Sequence, residues 1–205
     1  MSKDRITPSE ILLVINGGPP TNIDPEASKR GIREHKRIIS EVKMGIIPLT
    51  LRQAGLELPV VSETPFETDI IDNMVLRARA DLATDFMTID LKPGRQIKGR
   101  YLLQAALTAI AHDVKGSAEV YLYDLGETYK IEDGGENARE EMEIIARNAR
   151  IILNNEEEIK LKKRSLGGEG LYILGRQSIK LRKELEKNTE IVMDKIKKNL
   201  SVYKN

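Results

Sequence analysis

Apolar and polar positions repeat on two different periods along this chain, and the places where the period changes mark its elements. Thr7-Pro8-Ser9-Glu10 opens a first helix. Thr7 can accept from an orphan backbone N–H, Pro8 sits where no N–H is needed, and Glu10 can reach back. The apolar run "ILLVI" follows, and Gly17-Gly18 then read as its stop, with Pro19-Pro20 beyond. The rival reading, a strand feeding a phosphate loop, fails because prolines after the glycines have no N–H to turn toward a phosphate. A second, highly charged helix is predicted from Pro25 to Met44, with Ile32, Ile38, Ile39 and Val42 inward. The connector "GIIPLTLRQAGLELPVVSETP" holds one helical turn and a short strand around "ELPVV".

The starting grammar recurs at Thr64-Pro65-Phe66-Glu67. With Phe66, Ile70, Met74 and Ala78 at four-residue spacing, it predicts a helix from Pro65 to about Phe86. "FMTIDLKPG" reads as a strand stopped by Pro93-Gly94, and "IKGRYLLQAALTAIAHD" is apolar around so much of its circumference that it should be the central buried helix. A period of two around "DLGE" predicts a β-hairpin near 118–131. A helix from Asn137 to Asn154, a short strand-like piece "EIKLKKR", the loop "SLGGEG" and a long C-terminal helix about 171–200 complete the chain. Five main helices interleaved irregularly with short strands make the expected fold class α+β and helix-rich. The expected organisation is a single domain over 1–205, with a weak subdivision near 132–137.

Composition narrows the chemistry. The 205 residues hold no cysteine, which excludes disulfides, iron–sulfur clusters and thiolate zinc sites. Two histidines, His35 and His112, are too few for a three-His zinc site within one chain. Lys and Arg total 33 against 32 Asp and Glu, a net of +1, so no global field attracts nucleic acid. The opening "MSKDRITPSE" lacks a signal-peptide core, and no apolar stretch reaches a bilayer-spanning length. A cytoplasmic protein without a membrane partner is the expectation.

Local clusters then supply candidates. "KPGRQIKGRY" places Lys92, Arg95, Lys98 and Arg100 at the start of the buried helix, with Gly94 and Gly99 opening the backbone. Cations at a helix N-terminus oppose its dipole, and a bound anion would relieve that; a carboxylate from a neighbouring element would do so equally. Lys160, Lys162, Lys163 and Arg164 lead into Gly167, Gly168 and Gly170, a second basic glycine-rich segment that could complete an anion pocket if it met the first. The metal candidates are weaker. Asp69, Asp72, Asp81 and Asp85 share faces on the helix expected from Pro65, where paired carboxylates suit Mg²⁺ and intrahelical pairs such as Arg77 with Asp81 are the competing explanation. His112-Asp113 ends an apolar helix and would need a second imidazole.

From Arg176 onward nine basic residues face four acidic ones, while 127–158 holds ten acids against four bases. Three functional readings follow. The first is a homo-oligomeric binding or assembly protein, joined through the C-terminal helix, with a phosphate- or carboxylate-bearing small-molecule site at Gly94, Arg95, Lys98, Gly99, Arg100, Lys163 and Arg164. The alternative is an enzyme acting on a phosphorylated metabolite, with Mg²⁺ the compatible ion. The third is nucleic-acid binding through the basic C-terminal helix, which the scarcity of aromatic residues disfavours.

Overall fold

The capping box at Thr7 forms as the residues imply. Glu10 N–H donates to Thr7 Oγ1 at 3.3 Å, and Thr7 N–H donates to Glu10 Oε2 at 2.8 Å. The computed structural model describes residues 4–18, 25–70, 74–114, 116–162 and 168–205. In chain order these build β1 (Asp4–Ile6), α1 (Pro8–Ile15), α2 (Pro25–Lys43), α3 (Leu49–Gln53), β2 (Val61–Ser62), β3 (Pro65–Asp69), β4 (Met74–Arg79), β5 (Leu82–Thr84) and β6 (Met87–Lys92). Then follow α4 (Gly99–Ala111), β7 (Ser117–Leu122), β8 (Glu127–Ile131), α5 (Arg139–Lys162), α6 (Gly168–Lys198) and β9 (Leu200–Tyr203). The fold is α+β and helix-rich, and the expected hairpin is β7–β8.

Two mixed sheets enclose α4. The smaller has the order β1-β4-β3, and the larger β2-β5-β6-β7-β8-β9. In the larger sheet β2, β5 and β6 form an antiparallel run; β6 then pairs parallel with β7, with α4 as the crossover. Nine of the residues of α4 are buried, so its all-round apolarity does mark the central helix. One core cluster joins α4 to Ile6, Leu76 and Ala78 of the small sheet, to Val120 and Leu122 of β7, and to α1, α5 and α6. A second lies on the opposite face of the large sheet, where Ile38, Ile39 and Val42 of α2 meet Leu82, Ile89, Leu91 and Tyr121.

Three expectations are corrected. The described residues of the helix expected over 65–86 are not helical; they hold β3, β4 and β5. The described part of "EIKLKKR", residues 158–162, is not strand-like, because α5 runs on to Lys162; Lys163 and Arg164 lie outside the described residues. The C-terminal helix spans Gly168–Lys198, and Leu200 leaves it to start β9, which closes the edge of the large sheet against β8. Among the described residues no helix is long and apolar enough to cross a membrane.

Candidate active site

Strand β6 is the anomaly in the large sheet. A strand covered on both faces should read as continuously apolar, yet Thr88, Asp90 and Lys92 alternate with Met87, Ile89 and Leu91. The apolar set fills the core beneath α2. The polar set shares the other face, in register with Ala118, Val120 and Leu122 beneath α4. Asp90 is 3% exposed, and its Oδ2 has no hydrogen-bond partner among the described residues. Lys92 Nζ stands 3.5 Å away from that oxygen.

Asp81 directly precedes β5, whose Leu82 pairs with Ile89 of β6, and this brings its charge close to that of Asp90. Like charges so placed repel. Asp81 is held from two sides. Its Oδ2 accepts the Leu91 N–H at 2.7 Å, and His35 Nε2 of α2 lies 2.9 Å from its Oδ1. Burial pushes the Asp90 carboxyl well above the usual carboxylate range; Lys92 opposes that shift, and the charge of Asp81 adds to it. Tyr123, just past β7, closes the other side, its hydroxyl buried without a partner among the described residues and facing Gly31 of α2. Burial also raises this hydroxyl, reinforced by Asp124 and Glu34.

A buried carboxylate with one oxygen short of a hydrogen bond, a lysine at 3.5 Å and a second carboxylate nearby is a setting a divalent cation would relieve. Among the described residues, no group of three or more His, Asp and Glu is arranged to hold a metal. Asp81 and Asp90 would therefore be the whole carboxylate contribution. That suits Mg²⁺, which keeps several waters and takes one or two carboxylates plus substrate phosphate oxygens. Asp81 opens onto a cleft of about 500 Å³ whose walls include Thr7, Ser9, Arg77, Arg79, Gln104 and Thr108.

The basic cluster read from the sequence borders this site. Lys92, Lys98 and Arg100 all surround the Tyr101 ring, at 5.9, 5.9 and 5.3 Å. Arg95, Lys98 and Arg100 are exposed and make no ion pair with a carboxylate among the described residues. Gly94 takes φ 121°, which lets its N–H donate to Asp124 Oδ2 at 2.8 Å. Gly99 packs against Met193, far along α6 from its start at Gly168. Twenty-five residues of helix at about 1.5 Å each separate them by roughly 38 Å, so the start of α6 and the 92–100 segment do not share a pocket. Lys163 and Arg164 themselves lie outside the described residues, as does Asp72.

The other metal candidates disperse. Asp69 lies on exposed β3, Asp85 in the turn after β5, and Arg77 pairs with Glu67 rather than with Asp81. His112 and Asp113 do not converge: the His112 ring stacks on Phe66 with centroids 3.4 Å apart, and Asp113 turns to Arg139 at 3.4 Å. The imidazole that does meet an aspartate is His35. Sequence reasoning passed over Asp90 and His35; the available signal was the Asp-x-Lys alternation inside "MTIDLK". Comparison with protein-family models, with curated proteins and with solved structures finds no match for this chain.

Proposed function

We propose that this protein is a divalent-cation-dependent hydrolase of phosphodiester bonds in nucleic acid. One observation carries the reading: buried Asp90, with an unpartnered oxygen, lies beside Lys92 and close enough to Asp81 to feel its charge, and Asp81 lines an open cleft. Asp81 and Asp90 would hold the cation, with His35 and the Leu91 N–H fixing the orientation of Asp81. When bound, such an ion polarises the phosphoryl oxygen and lowers the pKa of its water. Lys92, 3.5 Å from Asp90, would neutralise charge that develops on the phosphoryl group as water adds and the ester oxygen leaves.

A polymer suits the site better than a compact metabolite, because several cations lie around it. Arg77, which pairs with Glu67, and Arg79 line the cleft together with Glu63, and exposed Arg95, Lys98 and Arg100 stand at and before the start of α4. This local track needs no net positive charge on the whole chain. The assembly reading drew on the C-terminal helix; Leu185, Val192 and Ile196 of that stripe are buried inside the chain, so it gives no reason to invoke a second copy.

The test is cleavage of end-labelled single-stranded and duplex oligonucleotides with Mg²⁺ or Mn²⁺, and with EDTA. Metal-dependent cleavage is expected, and Asp90→Asn, Asp81→Asn and Lys92→Ala should each lower it by about 100-fold or more while the protein stays folded. Cleavage that persists in EDTA, or in Asp90→Asn, would overturn the proposal.

A further inference from the structure

A second cavity, of about 570 Å³, opens at the far end of the β5–β6 hairpin. Both of the chain's two phenylalanines line it. Phe66 is stacked with His112 at an interplanar angle of 31°, while Phe86 stands 73% exposed at the turn. An exposed aromatic is usually mobile, but the backbone here is clamped. Phe86 N–H donates to Thr84 Oγ1 at 3.2 Å, and its carbonyl accepts the Ser117 N–H at 2.9 Å. A Cβ on Gly116 would fall 1.7 Å from that same carbonyl, so only glycine lets the two segments lie so close.

The charge of this cavity differs from that of the cleft at Asp81. Among the described residues, Glu57 and Asp85 are its charged lining residues, and no lysine or arginine lines it. A phosphate would be repelled there, whereas an aromatic, hydrogen-bonding group would be accepted. His112 lines the cavity, and its buried Nε2 has no hydrogen-bond partner among the described residues. Burial pulls the imidazole down to about 4, so it offers this nitrogen uncharged at neutral pH. The two openings both border the segment formed by α4 and the residue that follows it. Gln104 and Thr108 line the cleft, and His112, at the next four-residue step, lines the cavity. From Asp90 to Phe86 is four strand residues, about 13 Å, a span of a few nucleotides.

We infer that this cavity is a base-stacking subsite, in which an unpaired nucleobase of the substrate strand lies against Phe86 and the Phe66–His112 pair while its phosphates follow the cations of the cleft. The inference rests on the phosphodiester reading and adds to it a preference for single-stranded over fully paired nucleic acid. Aromatic stacking tolerates any base sequence, so the subsite selects strandedness rather than sequence.

The test uses the full chain in EDTA, where metal-dependent cleavage is off. A single-stranded oligonucleotide carrying 2-aminopurine is titrated against a matching duplex, with anisotropy and 2-aminopurine emission as readouts. Wild type should bind the single strand more tightly and quench the probe. Phe86→Ala should weaken single-strand binding by about tenfold with duplex binding little changed, and Phe86→Tyr should restore it. Equal binding by wild type and Phe86→Ala would overturn the subsite and mark the cavity for another occupant, such as a peptide or an aromatic metabolite. The phosphodiester reading would stand in that case if cleavage still required Asp90. Failure of wild type to bind any oligonucleotide would overturn both.

Discussion

Glu119 on β7 is fully buried, with one oxygen accepting the Ser117 hydroxyl at 2.6 Å and the other without a partner among the described residues. Burial pushes its carboxyl up to about 8. The folded state thus keeps a proton that the unfolded chain releases near 4.5. Stability contributed by this group is fully present below pH ~4.5 and is lost as pH rises toward ~8, at about 1.4 kcal/mol per unit. Glu119→Gln keeps the acceptor for Ser117 and removes the titration. Its urea midpoint should match wild type near pH 5 and exceed it increasingly up to pH 8; parallel profiles would refute the assignment. At this scale the legible signal was alternation: Asp90 and Lys92 stand out within "MTIDLK" because a doubly covered strand has no ordinary place for charge. His35 was not legible, since nothing local links it to an aspartate 46 residues later.

Among the elements, the misread stretch 65–86 shows why periodicity can fail. Phe66, Ile70, Met74 and Ala78 are spaced by four, and four is both close to one helical turn and a multiple of the strand period. The residue that separates the alternatives is Leu76, buried between Met74 and Ala78 at a spacing of two. The helix at 25–43 was legible from its apolar stripe at 3.6-residue spacing, and that at 99–111 from an apolar run continuing around most of its circumference. The strand β9 was hidden by its length of four residues directly behind a helix end. The β5–β6 turn carries its own prediction. Gly116→Ala drives a methyl into the Phe86 carbonyl and must push the hairpin off β7. The expected loss is about 3 kcal/mol by denaturant unfolding, together with loss of the Phe86-dependent single-strand preference. An Ala variant of wild-type stability would show that this contact is not the clamp.

Across the whole molecule, the opposite charge blocks seen in the sequence meet each other. Lys195 pairs with Glu141 at 2.6 Å, Arg182 with Glu156, and Lys204 with Glu127 at 3.3 Å. Those pairs balance charge at the periphery, whereas inside the fold two neighbouring carboxylates, Asp81 and buried Asp90, are answered, among the described residues, only by His35, the Leu91 N–H and Lys92. Such an arrangement costs stability in the metal-free protein and is kept only if something binds there. The consequence is a linkage that can be measured without any substrate. Mg²⁺ at about 100 times its Kd should stabilise wild type by about 2.7 kcal/mol, which for a chain of this size raises Tm by roughly 6–10 °C. Asp90→Asn removes the repulsion and one of the two carboxylates. Its metal-free Tm should equal or exceed that of wild type, and added Mg²⁺ should leave it unmoved. If the Asp90→Asn variant instead melts lower and still responds to Mg²⁺, the buried aspartate is structural and the cation binds elsewhere.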